Sequence, residues 1–161
     1  KTFEFGTVNQ IDVGNNNVSV LSVKGDKNGE TVFEYLADNL SIEFGLTQTR
    51  SAGGDAVNYV STGCQEGREP GSLALMKHLS ASTNVRRHVH NHPNNLLIPS
   101  GIGTGTGDVG FAGFVESKFK NSCVSFQLYG HFSRDYVNYH SGSQLEHFII
   151  TIVLPMFDVK D

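Results

Sequence analysis

Residues 84–120 read as a strand, a glycine-rich loop and a helix in direct succession, and this order narrows the folds open to the chain. NVRRHVH (84–90) carries the β-branched Val85 and Val89 at strand spacing. Pro93 has no backbone N–H to give to a ladder, so the strand must end near it. Asn94 to Gly107 is a long loop, and DVGFAGFVESKFK (108–120) reads as a helix with Asp108 near its start. A strand that feeds a helix in this way needs a sheet for that helix to cover.

The flanking sequence supplies the sheet. TFEFGTV (2–8) and VSVLSV (18–23) read as strands around the turn chemistry of DVGNNN. Gly25 to Glu30 is expected to turn, Glu30 to Asn39 to form a short helix, and Leu40 to Gln48 to form a strand. SAGGDA is a loop and VNYVSTG a strand. Glu69 to Ser82 is the best helix: Leu73, Leu75, Met76 and Leu79 make one apolar stripe, and Ser72 is expected to cap it. SCVSFQLYG and DYVNYHS read as a strand pair, and EHFIITIVLP as a last strand or a strand-helix mix. The expectation is an α/β (α+β) fold, a mixed β-sheet with flanking helices. No interior linker divides it, so residues 1–161 form a single domain.

Composition excludes several classes. The chain has 161 residues, enough for one domain with a real core. Its net charge is -4 and its 12 basic residues are scattered, with Arg86-Arg87 the only adjacent pair. Tracking along nucleic acid needs clustered Lys and Arg, so no nucleic-acid partner is expected. The longest apolar run, Phe148 to Phe157, is too short for a bilayer and contains Pro155, so no membrane insertion is expected. Cys64 and Cys123 lack metal-ligand spacing and are expected as free thiols in or near the core.

The chemistry concentrates in RRHVHNHPNNLLIPSGIGTGTGD (86–108). Side chains alternate along a strand, so His88, His90 and His92 share a face. Two imidazoles at a strand end suit one divalent ion. Asp108 is the obvious third ligand, since it opens a helix whose dipole favours a carboxylate. Two His, one Asp and an open fourth position describe a catalytic zinc site rather than a closed structural one.

HNHPNNLLIPSG…D resembles the metal motif of the JAB/MPN (JAMM) metalloproteases: HxHP, seven residues counting the proline, then SxxD. His90 and His92 match the paired histidines, and Ser100 falls on the serine. The acid departs from the pattern. SxxD points to position 103, which is Gly103, and Asp108 arrives five residues late across GTGTG. This extended form resembles the JAB-like toxin domains of bacterial polymorphic toxins, which sit at the C-terminus of large secreted proteins. A chain opening at Lys1 without Met agrees with that origin.

The resemblance implies a JAB/MPN-like, cytidine-deaminase-like architecture and a set of roles. His90, His92 and Asp108 would hold Zn2+. Glu43, in SIEFG on the expected strand, would be the general base, with Glu30 and Glu34 as competitors. Ser100 would donate to the oxyanion, a role that Thr104 or Thr106 also fits. Asp55 is the next candidate for the acid ligand, and His88 is expected to support the ligands from behind or to pack rather than to ligate. The implied activity is hydrolysis of a peptide or isopeptide bond by a zinc metallopeptidase acting as a toxin. It would be secreted or delivered by a secretion system and would act on a protein substrate in the target cell cytoplasm. A cognate immunity protein is the expected second partner.

Three rivals are weaker. A metal-dependent nuclease toxin would spread an HNH set over tens of residues, whereas His90-Asn91-His92 are contiguous. A catalytically inactive JAB/MPN binding module typically lacks a histidine or the acid, and both kinds are present here. GIGTGTGD lacks the Lys-Ser/Thr end of a phosphate-binding loop.

Overall fold

A computed structural model describes residues 8–148. Its elements are β1 (Val8–Ile11), β2 (Ser19–Lys24), α1 (Asp26–Asn39), β3 (Gly45–Arg50), β4 (Ala56–Thr62), α2 (Pro70–His78), β5 (Asn84–Asn91), α3 (Gly107–Lys118), β6 (Ser125–Gly130) and β7 (Asp135–Tyr139). Among the described residues the strands form one seven-stranded sheet in the order β1-β2-β4-β3-β5-β6-β7. Every neighbouring pair is antiparallel except β5 with β6, and α3 is the crossover that this parallel pair requires. The mixed sheet with flanking helices is the expected fold class.

The sheet is covered on both faces. On one, Phe33 and Ala37 of α1 pack on Val23, Leu46, Val60, Val89 and Tyr129. On the other, Met76 of α2 and Ala112, Val115 and Phe119, from α3 and its end, pack on Val85, Phe126, Leu128 and Tyr139. A β-bulge in β5 puts two consecutive residues on the α1 face. The pairing with β3 shifts register between Gln48 and Thr49, skipping Arg86. Arg86 and Arg87 therefore both reach α1: Arg86 pairs with Asp26 at 2.6 Å and Arg87 with Glu30 at 2.6 Å. Beyond the bulge the alternation is reset, and His88 and His90 point to the α2–α3 face.

Helix α1 presents Asp26, Glu30, Glu34 and Asp38 at four-residue spacing, one stripe of a helix. Each acid meets a partner on the sheet or its turns. Asp26 bonds Arg50, Arg86 and Asn58, Glu30 bonds Arg87, Glu34 bonds Tyr136 and Arg134, and Asp38 bonds Tyr129 and Arg134. This seam engages both competitors of Glu43, namely Glu30 and Glu34, with cations or a phenol on α1's side of the sheet.

Several expectations shift. The turn expected at Gly25–Glu30 is instead the first turn of α1, anchored by Asp26's three partners. Helix α2 is capped by Glu69, which accepts from the Gly71 and Ser72 N–H groups, and not by Ser72, whose hydroxyl bonds Ser61. Cys64 and Cys123 are free thiols, as expected, but both are exposed rather than near the core. The expected strand at 2–8 lies outside the described residues except for Val8, and so does the final one beyond Phe148; residues 146–148 begin it as helix. No helix among the described residues is long and apolar enough to cross a membrane.

Candidate metal centre

The end of β5 and the start of α3 bring the histidines and the acid together. His90 Nε2 lies 3.1 Å from Asp108 Oδ1, and His92 Nε2 lies 3.4 Å from Asp108 Oδ2. The two histidine Nε2 atoms are 3.1 Å apart. One ligand atom from each of His90, His92 and Asp108 lies within 4.8 Å of the others, a spacing that fits a single divalent ion. On its far side His92 Nδ1 meets the Leu96 carbonyl at 2.6 Å, which fixes its ring with Nε2 toward the cluster. Two imidazoles and one carboxylate are also the donor types that zinc accepts.

The displaced acid has a structural explanation. Ser100 N–H donates to Asp108 Oδ2 at 2.7 Å, and Asp108 N–H donates to Ser100 Oγ at 3.0 Å. Residues 101–107 between them form a closed excursion, with the Thr104 and Gly105 N–H groups donating to the Gly101 carbonyl. Glycine is needed where this loop pinches. Gly101 has φ +82° and a Cβ there would sit 1.7 Å from the Thr106 carbonyl oxygen. Gly107 has φ +54° and its Cβ would sit 2.3 Å from Ser100 Oγ. The extra residues are thus looped out, and Asp108 still reaches the histidines.

Glu43 is not on a strand, contrary to expectation. The segment 41–44 is bent, and β3 begins only at Gly45. The β5 backbone reaches it once, from Asn91 N–H to the Phe44 carbonyl at 3.3 Å, and other groups hold the rest. Asn91 Oδ1 accepts from Phe44 N–H at 2.7 Å and its Nδ2 donates to the Ile42 carbonyl at 3.1 Å. Glu43 N–H donates to the Gln65 carbonyl, and Thr62 Oγ1 donates to the Glu43 carbonyl, both at 2.8 Å. The Glu43 side chain is buried and lines the same cavity, of about 1240 Å³, as His90, His92, Ser100 and Asp108.

Burial pushes the Glu43 carboxyl up to about 7, against the pull of His90 and His92. Asp108 goes the other way. Burial works to raise it, but hydrogen bonds from His90 and His92 hold it well below the usual carboxylate range. His92 rises despite its burial because of the Asp108 carboxylate. The cavity therefore contains one carboxylate strongly held ionised and another poised near neutrality, the contrast that acid-base chemistry uses.

The remaining sequence candidates fall outside the cluster. His88 is buried, bonds Thr47 through Nδ1 at 3.1 Å and lies 4.7 Å from the Phe111 ring. Burial holds it well below the ordinary imidazole range, as befits a packed neutral ring. Asp55 is exposed at the β3–β4 turn and accepts at its backbone carbonyl from Ser51. Thr104 and Thr106 bond each other at the exposed loop tip. Sequence reasoning missed two contributors. Glu69 lines the cavity, and burial raises its carboxyl. Its signal was an acid before Pro70 at a helix start. Asn91 orients the Glu43 segment from the opposite side of β5, as alternation between two histidines implies.

The comparisons with known proteins bear on this geometry. The family described as JAB-like toxin 1 matches residues 21–113, a span that holds Glu43, His90, His92, Ser100 and Asp108. The chain belongs to the JAB-like toxin family. This toxin domain matches no curated protein and no solved structure in those comparisons.

Proposed function

We propose that this JAB-like toxin domain is a zinc-dependent hydrolase that cuts a peptide or isopeptide bond in a protein of a target cell. The observation that carries the reading is the buried carboxyl of Glu43 in one cavity with the His90–His92–Asp108 cluster. His90, His92 and Asp108 would hold the metal. When bound, zinc supplies Lewis acidity, lowering the pKa of a coordinated water to about 7.

The chain's own residues divide the remaining work. Glu43 takes the proton of the attacking water and passes it to the leaving amine, which needs a carboxyl that exchanges protons near neutral pH. Ser100 Oγ accepts from Asp108 N–H, so its hydroxyl proton is free to donate to the oxygen that gains charge during attack. The Asp108–Ser100 clamp orients the acid and the serine together. Delivery into a rival's cytoplasm and neutralisation by an immunity protein accord with membership of this toxin family.

The test is expression of the domain in a bacterial cytoplasm, with protein termini read by mass spectrometry. Wild type should stop growth and create new termini, whereas Glu43→Gln and His92→Ala should do neither. Growth arrest that persists in Glu43→Gln, or nucleic-acid breakage without new termini, contradicts the reading.

A further inference from the structure

Helices α2 and α3 are tied at their C-terminal ends. Lys118 Nζ on α3 donates to the Met76 carbonyl at 2.7 Å and the Lys77 carbonyl at 2.9 Å on α2. Toward their N-termini both helices line the metal-centre cavity, α2 from Pro70 and α3 from Gly107. The walls between are Leu73 and Lys77 on α2 and Phe111 and Phe114 on α3. Leu73 is 37% exposed, so this groove leaves apolar surface open to solvent. Phe111 joins the groove to the centre, since its ring packs at a tilt against His88 with centroids 4.7 Å apart, two residues before His90 on β5. The charges of the rim are unequal. The loop before α2 carries Glu66 and Arg68, the carboxyls of Glu43, Glu69 and Asp108 lie deeper in the cavity, and Lys77, exposed at the other end of the groove, has no ion-pair partner among the described residues.

We infer that the α2–α3 groove is a substrate subsite for a large apolar side chain beside the scissile bond, with an acidic group beyond it at Lys77. The occupant is a polypeptide segment. A bulky apolar side chain covers the Leu73–Phe111–Phe114 walls, and a carboxylate complements the Lys77 ammonium, which has no ion-pair partner among the described residues. This inference rests on the hydrolytic reading above and extends it to substrate class.

The test uses the zinc-loaded protein and three hydroxamates, whose chelating head should anchor each at the metal: N-acetylglycine, N-acetylphenylalanine and N-succinylphenylalanine hydroxamate. Affinities come from calorimetry. The phenylalanine probe should bind roughly 10- to 100-fold more tightly than the glycine probe, the gain expected from burying one large apolar side chain. The ratio should fall in Leu73→Ser, which changes a half-open surface position and leaves the fold intact. The succinyl carboxylate should add about 2- to 5-fold, lost in Lys77→Met. Equal affinities of the phenylalanine and glycine probes in wild type, or a ratio unmoved by Leu73→Ser, overturn the subsite and leave the metal centre standing. Failure of all three to bind, or failure of the protein to take up zinc, overturns both.

Discussion

Ser100 and Asp108, eight residues apart, clasp each other through two reciprocal backbone-to-side-chain hydrogen bonds of 2.7 and 3.0 Å. The clasp closes the loop 101–107 and returns the acid to the side of Ser100. It leaves the left-handed glycines in the loop and holds the carboxylate against His90 and His92.

Gly107→Ala should therefore damage the candidate metal centre by prising Ser100 away from Asp108. The new Cβ would meet Ser100 Oγ at 2.3 Å, and a left-handed alanine costs about 1–2 kcal/mol in addition. Zinc affinity is expected to drop at least about 10-fold, the scale of a lost orienting contact. Thr104→Ala, at the exposed loop tip, should leave it unchanged. Competition with a chromophoric chelator measures both.

Glu43 predicts a pH signature in metal-free protein. Its folded value is about 7, above the ordinary 4.5, so the folded state keeps a proton that the unfolded chain has already lost. This contribution to stability is fully present below about 4.5 and is lost as pH rises through 7. Glu43→Gln has no such proton to lose. Thermal melts in chelator should show the variant gaining on wild type between pH 5 and pH 8, with the largest difference at pH 8.

Zinc binding should also release a proton near pH 7, because a cation favours the ionised form of Glu43. Titration in weak buffer with a pH indicator would show acidification in wild type and a smaller signal in Glu43→Gln.

The acids of α1 should prove structural. Glu30→Gln weakens a half-exposed ion pair with Arg87, and a loss of about 0.5–1 kcal/mol is expected with zinc affinity and hydrolysis preserved. Chemical denaturation and the growth assay check the two halves of that statement.

Tyr139 offers a separate test of packing. Its hydroxyl is buried with no partner among the described residues. Since an unsatisfied buried group costs about 1–3 kcal/mol, Tyr139→Phe should melt at the same temperature as wild type or higher.

Much of the centre was legible because its signals are local. Pro93 ends the strand, the histidines alternate, and Asp108 opens a helix, so the order of 84–118 follows from short-range chemistry. The β-bulge was not legible. It exists because Arg86 and Arg87 both find acids on α1, some 60 residues away for Arg86. The segment around Glu43 escaped for a similar reason. Leu40 to Gln48 has strand composition, but the side chain of Asn91 at the end of β5, 47 residues from Phe44, takes the Phe44 N–H that a regular ladder would give to backbone. The start of α1 was hidden because its first turn is polar, and its anchoring partners lie on β3, β4 and β5.

X-ray absorption at the zinc edge, on protein loaded with one equivalent, tests the central claim most directly. The account predicts a first shell of two imidazole nitrogens at about 2.0–2.1 Å and light oxygen donors, collapsing in both His92→Ala and Asp108→Ala. A zinc shell containing sulfur, or one left unaltered by either substitution, would contradict it.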